Sequence, residues 1–388
     1  MKATTRFRQL LAEPGIITAP GAYDCLTAAI IEQTGFPAVY MTGAGTSVAR
    51  IGYPDLALAT ATEMLANAAS IASTISVPVI ADADTGYGGT MNVRRTIREY
   101  ERTGVAAIHI EDQQFPKRCG HLEDKRVVSI DEMVQKIHAA VDARTDDDFT
   151  IIVRTDALAV TGWADTMRRC DAFTAAGADA LFVEALGSAE EAAEIVARTS
   201  VPLLYNFVET GKSPLLNVAE LERLGFKMVI FPGSAFMSVA HTVARVMAEL
   251  KATGTTEHLV SEMTPLTEAF ELMGLSQMLE QDAGYAVAAD AKDADALDYL
   301  KEEKLHFRIL EREALAVYHD HIKHTLTDAD QDKWLIINTE SRDYEIVSTE
   351  AEGLQRFTGY GRHAPIYLMP IGEPEPILMR GFLPGDET

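Results

Sequence analysis

The sequence predicts an α/β protein of the (β/α)8 barrel class, followed by a small C-terminal α+β appendage. Short apolar runs rich in β-branched residues recur eight times within the first 231 residues, and helical patterns separate them. A polar residue stands at or just after the end of almost every run. The eight predicted strands are Ile16–Thr18, Ala38–Met41, Val77–Ala81, Ala106–Ile110, Thr150–Val153, Ala180–Val183, Leu203–Tyr205 and Met228–Phe231.

The segments between these runs have the features of helices that return the chain to the next parallel strand. Asp131–Ala143 and Ala189–Arg198 are helix-rich. Glycine follows a helical pattern at Gly104, Gly177 and Gly225, which is typical of a helix C-cap. Strands that alternate with helices in this way predict a parallel sheet.

An open, doubly wound sheet is the alternative arrangement of the same elements. Such sheets usually carry a glycine-rich nucleotide loop of the form G-x-G-x-x-G. Here Gly43-Ala44-Gly45 is followed by Thr46-Ser47-Val48, so the third glycine is missing. The barrel is therefore the prediction.

Composition limits the class of protein. The chain has 388 residues, is 47% hydrophobic and has a net charge of −24, which argues against nucleic-acid binding. It contains no apolar run of the roughly 20 residues that span a membrane. The N-terminal residues show no apolar signal core, which predicts a cytoplasmic protein. Three widely separated cysteines, Cys25, Cys119 and Cys170, predict reduced thiols.

The pattern of the chain changes after about residue 255, and three regions are predicted. Residues 1–285 form the catalytic barrel with C-terminal helices, and 286–325 form an acidic helical linker. Residues 326–388 have a strand-like period and form the small appendage, which carries no motif with recognisable chemistry.

The third strand ends in Asp82-Ala83-Asp84, just before a glycine-rich turn. Alternate residues of a strand share a face, so Asp82 and Asp84 are expected to point the same way. Two neighbouring carboxylates repel each other unless a cation lies between them. A D-x-D pair is also common in loops, but at a strand end it favours Mg²⁺, with Mn²⁺ as the alternative.

The fourth strand ends in Glu111, and the next loop contains Lys117-Arg118-Cys119-Gly120-His121. Catalytic groups of (β/α)8 barrels sit at the C-terminal ends of the strands. Any one such residue could be a turn or cap residue, but the series predicts an active site. The other polar or conformationally special residues at strand ends are Tyr40, Thr42, Arg154, Glu184, Asn206 and Pro232.

Six segments together carry a family resemblance over roughly residues 5–285. They resemble the isocitrate lyase/phosphoenolpyruvate mutase superfamily, and Lys117–His121 is similar to the signature of its carbon–carbon lyase branch, which includes 2-methylisocitrate and 2,3-dimethylmalate lyases. The phosphonate-processing branch usually lacks the Cys-Gly-His. The resemblance implies a barrel whose eighth helix is exchanged between subunits, and hence a dimer or tetramer. The segments are YMTGAGTS (40–47), ADADTGYGG (81–89), HIEDQQFPKRCGH (109–121), VRTDA (153–157), FVEA (182–185) and YNFVETGKSPLL (205–216).

The resemblance also implies roles for individual residues. Asp82 and Asp84 match the magnesium-linked pair, Asp55 and Glu111 match acidic residues near the metal, and Cys119 matches a catalytic acid/base on a mobile loop. Lys117, Arg118 and His121 would favour the thiolate, because nearby cations lower a thiol pKa, and Tyr40 is the candidate base. The substrate would contact Thr42, Gly43, Ala44, Gly120, Arg154, Glu184 and Asn206.

Three departures from relatives bear on the substrate. Met237 and Leu266 stand where the methylisocitrate branch has arginines, and Pro232 stands where oxaloacetate hydrolases have serine. The expected activity is therefore Mg²⁺-dependent cleavage of a 2-hydroxy dicarboxylate, such as a substituted malate, between C2 and C3, with release of pyruvate or a similar 2-keto acid. A methylisocitrate-like tricarboxylate is less well matched.

Two other classes of function stay open. One is an oxaloacetate hydrolase, a decarboxylase or a phosphonate-processing enzyme of the same superfamily. The other is a non-catalytic binding protein in which residues 326–388 form the interaction module. Loss of Cys119 or of an aspartate would favour the second class, and neither is lost.

Overall fold

The computed structural model divides into two compact units, Met1–Gln281 and Asp282–Thr388. It describes residues 1–120, 122–285, 322–330, 332–338, 343–349, 352, 356, 366–371 and 378–379. The predicted helical linker over 286–325 lies outside these residues except for its last four positions, where Lys323–Thr325 form a 3-10 turn.

The first unit is a closed barrel of eight parallel strands in sequential order, and the eighth strand pairs with the first. The predicted (β/α)8 class is confirmed. The strands that close the barrel, β1 and β8, align Ile17 with Met228 and Pro20 with Phe231. The strands are β1 Ile17–Ala22, β2 Val39–Met41, β3 Val79–Asp82, β4 Ala107–Glu111, β5 Thr150–Thr155, β6 Ala180–Val183, β7 Leu203–Asn206 and β8 Met228–Phe231.

Helices connect and surround the strands, and cap residues explain several of their boundaries. Thr60 and Glu63 form a capping box at the start of α4. Gly104 and Gly225 end α5 and α9 with φ of 87° and 102°, a conformation that glycine adopts without strain. The helices are α1 Ala3–Ala12, α2 Cys25–Gln33, α3 Gly43–Thr46, α4 Ala61–Thr74, α5 Thr90–Thr103, α6 Ile130–Ala143, α7 Trp163–Ala175, α8 Ala189–Arg198, α9 Val218–Leu224, α10 Ser234–Thr253, α11 Leu266–Glu271 and α12 Leu275–Tyr285.

Apolar side chains of the barrel form two separate clusters. The larger one fills the layer between the strands and the helices around them. The smaller one joins strand residues such as Ile80 and Ile152 to Phe7 and Leu10 of α1. Because both clusters are closely packed, the strand ends that carry the predicted site are held on a rigid scaffold.

Helix α10, which has 20 residues, has no buried residue in the single chain. Its apolar side chains Val239, Val243, Met247 and Leu250 are between 40% and 50% exposed in the single chain. An exposed apolar face on a 20-residue helix is typical of an interaction surface. Exchange of this helix between subunits, and the dimer or tetramer that it implies, stay predictions.

The described part of the second unit contains a four-stranded antiparallel sheet with the order β10-β9-β11-β12. Its strands are β9 Trp334–Asn338, β10 Tyr344–Val347, β11 Ile366–Pro370 and β12 Leu378–Met379. Leu335, Ile337, Val347 and Leu368 are buried. Across both units, no helix in the described part of the chain is long and apolar enough to cross a membrane.

Candidate active site

A cavity of about 100 Å³ opens where the strands of the barrel end. Its lining includes most of the residues that the sequence predicted for the site, which shows that the strand ends do converge. The predicted residues in the lining are Tyr40, Thr42, Gly43, Ala44, Asp55, Asp82, Cys119, Gly120, Arg154, Glu184 and Asn206. Asp84, Lys117 and Glu111 are buried beside them without lining the cavity, and His121 lies outside the described residues.

One side of the cavity, here called the charged wall, consists of Asp82, Arg154, Glu184 and Asn206. Arg154 is its centre: Nη2 lies 3.2 Å from Glu184 Oε2, and Nε lies 3.4 Å from Glu111 Oε2. Asn206 Nδ2 donates a hydrogen bond of 3.0 Å to Glu184 Oε2. Arg154, Glu184, Asn206 and Glu111 therefore form one connected network of buried groups.

Asp156 holds Arg154 from behind with two hydrogen bonds, of 2.9 Å from Nε and 3.0 Å from Nη2. Burial lowers the pKa of Arg154, but the carboxylates of Asp156, Glu111 and Glu184 raise it by more. The net pKa therefore lies well above its usual value. The guanidinium is thus charged at every working pH, and its direction is fixed by a bidentate contact.

Asp82 and Asp84 are close together, but the reason differs from the predicted one. β3 ends at Asp82, and Asp84 lies in a left-handed turn with φ of 48°, so the alternation of a strand does not apply to it. The Asp84 backbone N–H donates to Asp82 Oδ1 at 2.9 Å instead. The turn, rather than the pleat of the strand, sets the distance between the two carboxylates.

The carboxylate of Asp84 is paired with Lys117, and that of Asp82 lies near His109. Lys117 Nζ lies 2.7 Å from Asp84 Oδ1 and 2.6 Å from Asp55 Oδ1. Burial raises the pKa of Asp84 to about 6, although Lys117 opposes this, and Asp82 and Asp55 add to it. Burial also raises the pKa of Asp82, but His109 and Lys117 outweigh it and leave a net decrease. The positive charge of Lys117 therefore offsets part of the negative charge of Asp55, Asp82 and Asp84.

Two features fit a cation beside Asp82. Glu111 Oε1 is buried and has no hydrogen-bond partner among the described residues, and burial raises the pKa of Glu111 well above its usual value. A Cβ at Gly43 would overlap the carboxylate of Asp82, so the glycine leaves the space beside that carboxylate open. No group of three metal-binding side chains converges within the described chain. Magnesium commonly binds through one or two carboxylates and keeps several waters, so the donors present fit it.

Tyr40 projects from β2 into the cavity and contacts a buried histidine that the sequence analysis did not select. The Tyr40 hydroxyl lies 2.9 Å from His109 Nε2, and His109 Nε2 lies 3.6 Å from Asp82 Oδ1. Burial lowers the pKa of His109 to about 4, so the imidazole is neutral near pH 7. Burial and Asp82 raise the pKa of Tyr40 well above 10, which favours the neutral phenol. Its role as the base stays a prediction.

In the turn that follows β2, the polar groups of Thr42 already make hydrogen bonds within the protein. The Thr42 backbone N–H donates to Ala22 O at 3.1 Å, and the Thr42 hydroxyl accepts from Gly45 N–H at 3.3 Å. The Thr42 backbone N–H is therefore already used within the fold, and the contact of the Thr42–Ala44 turn with a substrate stays a prediction.

Cys119 reaches the cavity from the loop Gln114–Arg126, here called the cysteine loop. It is half-buried, and its backbone N–H donates to Asp55 O at 3.3 Å. Gly120 approaches so closely that a Cβ there would overlap Arg154 and Glu184. The neighbouring Arg118 faces away from the cavity, with Nη1 donating to Glu123 O at 3.1 Å.

Apolar residues of the lining, here called the apolar wall, are Val208, Ile230, Pro232, Phe236 and Met237. The sequence analysis singled out Pro232 and Met237 as departures, and both line the cavity. Leu266, the other departure, is 69% exposed and does not line it in this chain. The missed members, Val208, Ile230 and Phe236, gave no polar signal in the sequence.

Comparisons with known proteins place this geometry in context. Residues 7–251 match the family model described as phosphoenolpyruvate phosphomutase. The chain is 43% identical over 286 residues to the 2,3-dimethylmalate lyase of Eubacterium barkeri, a match that covers 74% of this chain and 99% of the relative. It is 40% identical over 287 residues to the 2-methylisocitrate lyase of Shewanella oneidensis, which covers 72% and 98% respectively.

A solved structure is similar to the same extent. It is an oxaloacetate acetylhydrolase in complex with the inhibitor 3,3-difluorooxalacetate, with a TM-score of 0.71 and 40% identity. The match covers 74% of this chain and 98% of that one. About a quarter of the present chain thus has no counterpart in these relatives.

Proposed function

The chain belongs to the isocitrate lyase/phosphoenolpyruvate mutase superfamily and is an enzyme of it, and from this we propose that it is a Mg²⁺-dependent carbon–carbon lyase. The proposed substrate is a 2-hydroxy dicarboxylate of the substituted malate type. Cleavage between C2 and C3 would release pyruvate or a similar 2-keto acid.

One observation carries the choice of substrate. Of the described residues that line the cavity, only Arg154 carries positive charge, and three carboxylates already surround it. A buried substrate carboxylate without a partner costs several kcal/mol in free energy (on the order of 2–7 even for a neutral polar group). A tricarboxylate would bring one more such group than a malate does, so the site supports the smaller acid.

The apolar wall supports an alkyl substituent on that acid. Met237, Phe236 and Val208 offer hydrocarbon surface to the cavity. A methyl group buried there gains about 0.8 kcal/mol. An unsubstituted malate would leave this surface uncovered.

The residues beside β3 and β4 would hold the metal. Asp82 would bind Mg²⁺, with Asp84 and Glu111 close by, in agreement with the unpaired Glu111 Oε1. When bound, the ion would supply Lewis-acid stabilisation of negative charge on the C1 carboxylate and the C2 oxygen. Manganese has similar requirements for oxygen ligands.

The protein's own groups would handle the protons. A base removes the proton of the C2 hydroxyl, and Tyr40 is the candidate. Because burial favours its neutral phenol, Tyr40 would have to pass its own proton to His109 Nε2, 2.9 Å away, as it takes the proton of the substrate. As the C2–C3 bond breaks, its electron pair stays on C3, and Cys119 Sγ donates a proton to that carbon as general acid. The backbone N–H groups of Gly43 and Ala44, at the start of α3, would donate hydrogen bonds to a substrate oxygen.

Oxaloacetate hydrolysis is the second candidate, because the oxaloacetate acetylhydrolase structure matches as well as the lyases do. The two reactions differ in their products. Hydrolysis of oxaloacetate gives oxalate and acetate, whereas cleavage of a 2-alkylmalate gives a 2-keto acid and a monocarboxylic acid.

A substrate panel tests the proposal. The protein would be incubated with Mg²⁺ and, separately, malate, 2-methylmalate, 2,3-dimethylmalate, 2-methylisocitrate and oxaloacetate, and the products identified by mass spectrometry. We expect 2-keto acid from an alkylmalate. Oxalate from oxaloacetate, with no cleavage of any malate, would replace the lyase with the hydrolase.

The same proposal includes a homo-oligomer, because α10 exposes an apolar face in the single chain. Light scattering of the purified protein would test it.

A further inference from the structure

The cysteine loop is fixed at its two ends by backbone pairing. Gln113 and Val127 form an isolated antiparallel bridge, and Gln114 N–H donates to Arg126 O at 2.8 Å. This narrow base leaves the position of the loop's middle, which carries Cys119, to other contacts. Asp55 supplies some of them, through Lys117 and the Cys119 N–H, and two buried side chains from the base supply others.

The first is Gln113, whose side chain is buried. Its Nε2 donates to Arg118 O at 2.8 Å, and its Oε1 accepts from Arg118 N–H at 3.0 Å. Both halves of the amide are thus used on the backbone of a single residue. That residue immediately precedes Cys119, so the amide fixes both the position and the orientation of the peptide before the thiol.

The second is Lys125, whose side chain is 2% exposed. Its Nζ donates to Gly120 O and lies 2.7 Å from Asp156 Oδ1. Asp156 is the same carboxylate that holds Arg154. Lys125 therefore ties the residue after Cys119 to the support of the charged wall.

From these contacts we infer that Gln113 and Lys125 are positioning residues that clamp the cysteine loop on either side of Cys119. They hold Cys119 at the cavity and Gly120 against Arg154 and Glu184. The kinetic consequence of this clamp rests on the proposed function, but the position of the loop does not. Neither residue contacts the reacting atoms.

Thiol labelling tests the clamp without any substrate. Gln113→Leu and Lys125→Met would be compared with the unaltered protein by peptide-resolved alkylation of Cys119 with iodoacetamide. Cys25, half-buried on α2 and outside the loop, serves as the internal reference. We expect the Cys119/Cys25 rate ratio to rise by roughly tenfold, the effect of one lost buried hydrogen-bonded contact.

Arg118→Met is the matched control. It removes a positive charge from the same loop, but its side chain bonds Glu123 O and Asp124 and does not support Cys119 or Gly120. Its labelling ratio should not change. A rise equal to that of Lys125→Met would mean that loop charge, and not the clamp, controls the thiol, and would overturn the inference. Gln113→Leu removes a clamp contact without a change of charge, so a rise in its labelling ratio would be due to the clamp and not to loop charge.

Turnover supplies the second measurement. With a substrate from the panel, both clamp variants should lower kcat by about tenfold, with KM changed less, because the thiol acts after substrate is bound. Should Lys125→Met not fold, Gln113→Leu and Lys125→Gln answer the same question. Unchanged labelling in folded clamp variants overturns the inference. If no malate is cleaved, the labelling result still decides it, so its failure is distinct from that of the proposed function.

Discussion

The charged and apolar walls of the cavity differ in how their side chains are held. Asp82, Arg154 and Glu184 are buried, and each is bonded to at least one further polar group. Phe236 and Met237, by contrast, are half-buried residues at the start of α10. The charged wall is thus preorganised around where charge develops, whereas the apolar wall can adjust its shape.

The charged wall is suited to catalysis, and the apolar wall is suited to the selection of a substrate. Preorganised polar groups lower a barrier because they need not reorient during the reaction. Methionine is unbranched and flexible, so it adapts to the shape of a substituent at little cost. Changes in the charged wall should therefore abolish turnover, and changes in the apolar wall should alter which substrate is used.

Loss of the metal should have the largest effect. Removal of divalent cations with EDTA should reduce activity to background, and Mg²⁺ or Mn²⁺ should restore it. Asp84→Ala should lower kcat/KM by roughly 10³-fold or more, the size of several kcal/mol of lost charge stabilisation. Steady-state kinetics and a thermal melt of the variant would be measured together. Full turnover in excess EDTA would contradict the magnesium proposal.

Cys119→Ser comes next. A general acid contributes roughly 10²–10⁴ in rate, so kcat should fall by that amount while substrate binding, measured by calorimetry, persists. Bound substrate should also slow alkylation of Cys119. A serine variant with near-normal kcat would make the thiol structural.

The apolar wall is tested by Met237→Arg. The unaltered protein should prefer an alkylmalate over 2-methylisocitrate by at least about 10²-fold in kcat/KM, on the order of one missing charged contact. The arginine variant should lose dicarboxylate activity and gain tricarboxylate cleavage, and Met237→Leu is its uncharged control. A preference for 2-methylisocitrate in the unaltered protein would show that another cation, such as Arg50 or Lys212, replaces the missing clamp.

Asp156, which holds Arg154 in the charged wall, should make the stability of the fold depend on pH. Burial raises the pKa of Asp156, but Arg154 and Lys125 outweigh it and lower the pKa to about 2. Because the folded-state pKa lies below the unfolded value, Asp156 stabilises the fold above about pH 4, and this is lost as pH falls through about 2. Asp156→Asn should cost about 2 kcal/mol or more near neutral pH.

Urea unfolding at several pH values would measure this cost. The gap between Asp156→Asn and the unaltered protein should narrow below pH 4. Met237→Leu, which removes no titratable group, should show a difference that does not depend on pH. A constant gap for Asp156→Asn would mean that the carboxylate does not supply the stabilisation.

Much of the site was accessible from the sequence because the strand ends of a barrel meet on one face. Apolar runs locate β6 and β8 to the residue. The family resemblance, and not the pattern, implied Gly43, Ala44 and Asp55. The polar strand-end positions predicted the lining residues Tyr40, Thr42, Asp82, Arg154, Glu184 and Asn206. His109 was missed because, inside an apolar strand, it has the pattern of a core residue. Gln113, Lys125 and Asp156 were missed because their positions in the chain give no sign of what they contact.

The amino-acid sequence alone determined the barrel, the order of its strands and the face on which chemistry is placed, because hydrophobic periodicity is a local property of the chain. Only the tertiary structure decided which charges pair. Lys117 pairs with Asp84 and with Asp55, which is 62 positions away in the chain. Lys125 pairs with Asp156, which is 31 positions away. Such choices follow from distances of a few ångströms in a low-dielectric interior, and those distances exist only once the barrel has closed.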